Sequence, residues 1–442
     1  MPGFQPYISP MKPEPRVREI VYTEPFPLAR RLKGRGALTL FESTRRHQFL
    51  GRYSYLAVNP TMALVDVSLE QVAAQLAANR REHVESIPPF QGGLAGFVSY
   101  DFGRTLEPKA RLAVRGPVAP HMVLQAYNVV ISFDHLQERA WIVSDTEQQA
   151  DELERLLKRK PAPLGPHTAS RFVSNMTRAQ YEAAVQRTIN YILDGDIFQA
   201  NITQCWSAAK PPDFDPYGFY NVLRQRNPGT FQALLDYGEA TVISSSPERL
   251  ISLDGKTAEA RPIKGTRRRD DDPSRDATLV AELLASRKDR AENIMIVDLL
   301  RNDLSRVSKP GTVHVPTLCG LETYANVHHL VSVVTGELRD GLSQVELFRA
   351  VFPGGSITGA PKIRAMEIID ELEGMGRGVY CGAIGYFGYN GHCDFNIAIR
   401  TVQIADDVIR VQGGGGITAR SDPASEYDES ALKVQRILDA FT

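Results

Sequence analysis

Short apolar runs separated by turn-rich stretches dominate the first third of the chain. From about residue 17 to 145 the β-like runs are ALTLFES, FQGGLAGFVSY, HMVLQAYNVVISFD and RAWIVSD. Runs of this length, rich in branched and aromatic residues and bounded by Gly, Pro, Asn and Asp, predict strands. The pattern becomes helical in QQADELERLLKRK, and PAPLGPHTAS (161–170) follows with the composition of a linker. That stretch divides the sequence into a region 1–160 and a region 170–442. The first fifteen or so residues read as an irregular tail.

In the second region, NMTRAQYEAAVQRTINYILDGD predicts a helix capped by Asn175 or Thr177. Long helices then alternate with the strands ATVISSS, VYCGAIGYFGY, CDFNIAIRTVQI and VIRVQGG. Asn390–Gly391 lies between two of these runs, and Asn-Gly supplies the positive φ angles that a tight hairpin needs. No GxGxxG follows a strand, so a dinucleotide-binding doubly wound sheet is disfavoured. The expected class is α+β: a large mixed sandwich of antiparallel sheets with flanking helices.

Composition narrows the function classes. Hydrophobic residues make up 43% and charged residues 23% of 442, as in ordinary globular proteins. Lys and Arg total 51 against 52 Asp and Glu, for a net charge of −1. Such a balance exerts no global pull on nucleic acid or an anionic membrane. An anionic substrate must therefore be met by a local cluster of cations. The run Arg267–Arg268–Arg269 is followed directly by Asp270, Asp271 and Asp272, and reads as a self-neutralising loop. Cys205, Cys319, Cys381 and Cys393 are scattered, which fits a reducing, cytoplasmic setting. Neither a secretory h-region nor a run of about 18 apolar residues is visible, so no membrane span is expected.

Several constellations can carry chemistry. Asp289 and Glu292 lie three apart on one predicted helix, and Glu426 and Glu429 on another, with Lys433 one turn beyond. Carboxylates at that spacing share a helix face. If the helices meet, they offer oxygen ligands for Mg²⁺; otherwise they are two solvated faces. FPGGSITGAPKIRAMEIIDELE packs glycines before Pro361, which suits the first turn of a helix, with Ser356 and Thr358 near its N-terminus. That is an anion site or a tight turn. The four glycines 413–416 end a β-like segment and permit either close backbone approach to a ligand or a bulge.

Arg400 sits in the alternating run NIAIRTV, as a carboxylate clamp or as a salt-bridged strand residue. Tyr380 and the pair His328–His329 are ambiguous alone, although adjacent strand residues point to opposite faces. Lys264 in RPIKGT, between Pro262 and Gly265, is a nucleophile if desolvated and a plain loop lysine if not. No cysteine has the context of a glutaminase nucleophile, and no P-loop, zinc spacing or GxSxG is present.

Taken in order, SSSPERL, RPIKGTR, DRAENIMIVDLLRNDL, VHHLVS, FPGGSITGAPKIRAMEIIDELE, YCGAIGYF, NIAIRTV and GGGGITARSDPASEYDESALKV resemble the motifs of the chorismate-utilising enzymes. The motifs span about residues 175–440. FQGGLAGFVSYDFGR and LFES resemble the N-terminal region of the amidotransferase-coupled members. The resemblance implies the chorismate-utilising fold. It also implies Mg²⁺ on Glu292 and Glu429, with Asp289 and Glu426 behind them, holding the ring carboxylate of chorismate. Tyr380 and Arg400 match the grip on the pyruvyl carboxylate. Gly414, Gly415, Gly416 and Lys433 match further substrate contacts, and Thr266 and Ser356 match active-site hydroxyls. His329 matches the histidine near C4, and Glu248 the acid that assists loss of the C4 hydroxyl.

The branches differ at two positions. Members that make anthranilate usually read PIAG where this chain reads PIKG. The lysine implies the branch that makes 4-amino-4-deoxychorismate for the folate route, with Lys264 attacking C2 and ammonia then adding at C4. The isochorismate and salicylate branches carry a water-activating lysine where this chain has Gln199. Ammonia is expected from a separate glutamine amidotransferase subunit in a heterodimer. Ser43, at the end of LFES, matches the segment that holds tryptophan in relatives. The alternatives are an anthranilate-forming enzyme, against which PIKG speaks, and a non-catalytic relative that binds chorismate or tryptophan. Intact Glu248, Lys264, Glu292, Arg400 and Glu429 speak against the latter.

Overall fold

The computed structural model describes residues 11–45, 50–113, 119–324 and 327–442. Among them, two large sheets are built entirely from antiparallel pairs. The twelve-stranded sheet runs from Arg16–Ile20 at one edge to Gly359–Ala360 at the other. The ten-stranded sheet runs from Ile263–Arg268 to Met62–Val65. An α+β sandwich is therefore the architecture.

Helices cover both outer faces. Pro25–Leu32, Glu147–Leu157, Pro216–Arg226 and Pro423–Leu438 pack their apolar sides on the larger sheet. Arg287–Ser305 and Gln344–Val351 cover the smaller one. Phe97, Val123 and Ile384 of one sheet meet Leu235 and Val242 of the other in the middle layer. Strands covered on both faces have no solvent side, so they need apolar residues at every position. Gly93–Val98, Met122–Tyr127 and Ala383–Gly388 are buried throughout, which explains their near-continuous apolar runs, interrupted by Gln125.

The 161–170 stretch forms no regular element. Both sheets nevertheless draw strands from either side of it. Leu38–Glu42 pairs with Phe231–Asp236 in one sheet, and Gly93–Val98 pairs with Ala383–Gly388 in the other. The linker thus joins two regions of sequence within one sandwich.

Local readings resolve unevenly. HMVLQAYNVVISFD breaks at Asn128, and its halves join different sheets: Met122–Tyr127 the smaller and Val129–Asp134 the larger. The Asn390–Gly391 hairpin forms between Ala383–Gly388 and Cys393–Ile397, with Gly391 at φ +89°. Thr177 caps the helix Arg178–Leu193 through a reciprocal bond pair with Gln180, whereas the Asn175 carboxamide accepts from the Cys205 N–H. Pro361 sits one residue earlier than expected, at the N-cap of Lys362–Glu373. No helix among the described residues is long and apolar enough to cross a membrane.

Candidate active site

The nucleophile candidate is aimed by a bulge. Ile263–Arg268 pairs with Val327–Glu337, but the register shifts between Ile263 and Thr266, so Lys264 and Gly265 stand out of the ladder. A bulge adds a residue and re-aims its side chains. Gly265 has φ +82°, and a Cβ there would come within 2.9 Å of Asp289. Only glycine fits that position. The Lys264 ammonium lies 3.4 Å from the Ser356 carbonyl. Burial pushes its pKa down, against the pull of Glu248 and Glu292.

Glu248 is buried, and its carboxylate accepts from the Ser356 hydroxyl at 3.1 Å. Burial raises its pKa, and nearby Lys264 only partly offsets this. An amine driven toward its free-base form and a carboxyl driven toward its acid form thus sit side by side. Pairs whose environments push their pKa values in this way suit acid–base work.

The floor beneath them is clamped by an ion pair not anticipated from sequence. Fully buried Arg377 donates to both Glu373 oxygens, at 2.9 and 2.6 Å. It also donates to the carbonyls of Ile357 at 2.8 Å and Asn201 at 2.6 Å. This fixes the Ser356–Thr358 turn against the strand Gln199–Ala209. The Thr358 hydroxyl donates to the Gly354 carbonyl at 2.8 Å, so its side chain holds the turn.

The glycine run does not end its strand. Val408–Ile417 continues in register with Gln199–Ala209 through all four glycines, from Gln204↔Gly413 to Asn201↔Gly416. The run exists because neighbours approach closely. A Cβ on Gly413 would meet Val434 at 2.4 Å, and one on Gly415 would meet Glu426 Oε2 at 2.9 Å. One on Gly416 would stand 2.6 Å from Gln199 Nε2. Gln199 is fully buried, and neither of its polar side-chain atoms has a hydrogen-bond partner. Buried polar groups are ordinarily satisfied, so this carboxamide stands out beside the glycine strand. The Lys433 ammonium donates to the Gly414 carbonyl at 2.9 Å and pairs with Glu429 at 2.7 Å.

The two acidic helices, Arg287–Ser305 and Pro423–Leu438, bring their acids within electrostatic reach of one another. Glu292 feels Glu426 and Asp289, and burial first, then these like charges, raise its pKa. Its Oε1 is buried without a hydrogen bond; the Lys288 ammonium is 4.0 Å away. Burial also raises the pKa of Glu426, although the Ser421 hydroxyl donates to it at 2.7 Å. Burial would raise Glu429 as well, but Lys433, Lys288 and Lys264 outweigh it and hold it low. Asp289 stands 3.5 Å from Arg267. No group of three or more His, Cys, Asp or Glu among the described residues forms a metal cage by itself. Mg²⁺ does not require one, since it takes one or two carboxylates and completes its shell with water and substrate oxygens. An all-oxygen donor set with an orphaned buried carboxylate oxygen fits that ion.

A cavity of about 650 Å³ opens beside these groups. Thr266, His329, Arg400, Glu429 and Lys433 line it. Arg400 lies outside the strands, in the turn between Cys393–Ile397 and Thr401–Ala405, with φ +51°. The expected alternating strand breaks there. A non-glycine residue with positive φ is held by its surroundings at some cost. Tyr380 is buried within electrostatic reach of Arg400. His329 points to the cavity and shares a 2.8 Å hydrogen bond with Thr266. Burial, then Arg45 and Arg400, push its pKa down to about 4. His328 points the other way, to Asp276 at 2.9 Å and Thr323 at 2.9 Å. Arg45 and Arg436 also line the cavity and were not anticipated from sequence. Arg45 lies some 220 residues before Thr266, so no local pattern links them.

Ser43 lies near this group but not in it. Its hydroxyl donates to the Arg45 carbonyl at 2.9 Å. Its neighbours Phe41 and Glu42, with Gly51, line a second cavity of about 550 Å³.

Known proteins resemble the chain along most of its length. The family described as chorismate binding enzyme matches residues 37–439. Aminodeoxychorismate synthase component 1 of Bacillus subtilis is 41% identical over 368 residues, 80% of this chain and 78% of that protein. Anthranilate synthase component 1 of Streptomyces coelicolor is 37% identical over 431 residues, 91% of this chain and 83% of its own length. The crystal structure of anthranilate synthase component I from Streptococcus pneumoniae TIGR4 superposes with a TM-score of 0.79 at 31% identity, covering 95% of this chain and 99% of that one. With the family match running from residue 37 to 439, the chain belongs to the chorismate binding enzymes.

Proposed function

We propose that this chain is an enzyme that aminates chorismate at C4, acting as component 1 of an aminodeoxychorismate synthase. Lys264 carries the reading: a lysine on a bulge, its amine pushed toward the free base by burial, beside buried Glu248. The similarity to the Bacillus subtilis protein supports the same branch.

In this reaction the Lys264 amine forms a bond to C2 of chorismate. The ring double bonds shift and the C4–oxygen bond breaks. Glu248, held toward its acid form, donates a proton so that the hydroxyl leaves as water. Ammonia then forms a bond at C4, the double bonds return, and the C2–nitrogen bond breaks to release Lys264. Splitting one substitution into two lowers each barrier. The unpartnered carboxamide of Gln199 orients the incoming amine, and unlike a lysine it does not activate water.

Glu292 and Glu429 would hold Mg²⁺, backed by Glu426 and Asp289. The ion supplies charge neutralisation for a substrate carboxylate. Arg400 and Tyr380 bind the other carboxylate, whose burial without a partner would be costly. Ammonia comes from a separate glutamine amidotransferase subunit, consistent with relatives called component 1. The second cavity, beside Ser43, is a candidate site for tryptophan.

The close alternative is formation of anthranilate, favoured by the longer match to the Streptomyces coelicolor protein. Product analysis separates the two. Purified protein with chorismate, Mg²⁺ and an ammonium salt is expected to yield 4-amino-4-deoxychorismate. Anthranilate and pyruvate as the main products would reject the proposal.

A further inference from the structure

Cations around the large cavity fall into two groups. Lys433 is paired with Glu429 and Arg269 with Asp276. Arg226 donates to the Asp439 carbonyl. Arg268, which is exposed, and Arg45, Arg400 and Arg436, which are partly buried, have no carboxylate partner among the described residues, yet line the same space. They also act on one another: Arg400 is repelled by Arg436 and Arg45, and His329 by Arg45 and Arg400.

Three partly buried guanidinium groups converging without a paired acid destabilise a fold. Burial removes their water, and mutual repulsion adds to the cost. Folding alone gives no reason for the arrangement. An anion bound among them resolves it, through the charge-assisted, forked hydrogen bonds that guanidinium groups make with carboxylates.

Arg45 is the most informative member. It comes from the loop after Leu38–Glu42, whereas its partners come from the far end of the sequence. Its backbone is built in: the carbonyl accepts from the Ser43 hydroxyl at 2.9 Å, and the N–H donates to the Gly229 carbonyl at 3.3 Å. Gly51, at φ +80°, makes room for this loop, because a Cβ there would stand 2.2 Å from the Arg45 carbonyl oxygen. The guanidinium carbon lies 6.0 Å from the centre of the Tyr324 ring, at the outer limit of a cation–π contact. So the ring supports the side chain without neutralising it.

We propose that Arg45 is a substrate-binding residue, contributed by the N-terminal region, that closes with Arg400 and Arg436 on one carboxylate of the substrate. This rests on the proposed function only in taking chorismate as the anion. Arg400 approaches the carboxylate from the turn after Cys393–Ile397 and Arg436 from the helix Pro423–Leu438, while Arg45 approaches from the opposite half of the sequence. The carboxylate group is thereby held from three elements.

Arg45→Gln and Arg45→Lys test it, with folding checked by circular dichroism and thermal melting. Equilibrium binding of chorismate is measured without ammonia, and KM and kcat are measured with Mg²⁺ and an ammonium salt. Arg45→Gln is expected to weaken binding and raise KM at least tenfold, with a smaller change in kcat. The salt dependence of kcat/KM should also flatten. Arg45→Lys, which retains the charge, is expected to fall between Arg45→Gln and wild type. A purely structural arginine would instead lower the melting temperature and leave chorismate affinity within twofold in both variants; that result overturns the proposal. If Arg45→Gln does not fold, Arg45→Lys decides alone, and wild-type affinity and KM in it count against the assignment. Wild-type protein that binds no chorismate overturns the functional reading and the ligand assigned to Arg45 together. Wild-type binding that survives both substitutions overturns Arg45 only.

Discussion

The two cavities are similar in size, about 650 and 550 Å³, and arginines line both. They differ in how those arginines are neutralised. In the smaller cavity Arg52 meets Asp134 at 2.7 Å, and Arg249 meets Asp394 and Glu259, each at 2.9 Å. Both of its arginines are thus paired within the protein. In the larger cavity the partly buried Arg45, Arg400 and Arg436, like the exposed Arg268, are left unpaired, and the ligand must supply the negative charge. Similar residue types thus give a structural ion-pair network in one place and an anion receptor in the other. What decides is whether the fold delivers a carboxylate beside the guanidinium.

The largest expected effect lies next to the unbalanced cavity. Lys264→Ala should reduce amination at least 10⁴-fold, about 5 kcal/mol of barrier, with the melting temperature little changed. Mass spectrometry of trapped wild-type enzyme should find an adduct on that lysine. Activity within a few-fold of wild type would remove the nucleophile role. The balanced cavity should respond in stability instead. Arg249→Gln leaves Asp394 and Glu259 without their partner and should cost about 3 kcal/mol by denaturant unfolding. Turnover per folded molecule should change much less than in Lys264→Ala. If Arg249→Gln abolished turnover while the fold stayed intact, the contrast between the cavities would fail.

A smaller effect concerns pH. His329 is held at about 4, below an unfolded imidazole near 6.5. Between these values the unfolded chain binds the proton more readily. Its contribution is therefore fully present above about 6.5 and is lost as pH falls toward 4. From pH 7 to pH 5 the loss is about 2 kcal/mol. His329→Gln should lose correspondingly less stability over that interval, as read by unfolding at both pH values. Equal losses in the two proteins would show that the histidine is not shielded by burial and the two arginines.

Much of this site was legible from sequence because its chemistry is carried by short motifs. RPIKGT announced an unusual backbone through Gly265, and the bulge beside Lys264 is its physical form. The i, i+3 acids on two helices lie within electrostatic reach of each other, with Glu426 acting on Glu292. Adjacent His328 and His329 pointed to opposite faces, as strand geometry demands. The alternation of NIAIRTV gives no sign of a turn, so sequence alone places Arg400 in a strand. Its positive φ is imposed by the crossing of two strands that belong to different sheets. The glycine run by itself marks the end of a strand, because glycine is a poor strand former in isolation. In the fold, neighbours stand 2.1 to 2.9 Å from a would-be Cβ, so a larger residue would displace them, at Gly414 against the Ile202 backbone.

The sequence by itself determined most of the secondary elements, the sandwich class and the candidates for the reactive groups, since these follow from local spacing and side-chain chemistry. Only the tertiary structure decided which charges stay unpaired. Arg45 and Arg436 are nearly four hundred residues apart in sequence and meet Arg400 at one cavity. Whether an arginine is neutralised or left to a ligand depends on which acid the packed sheets bring within a few ångströms, because attraction between charges falls with distance and is strengthened by burial.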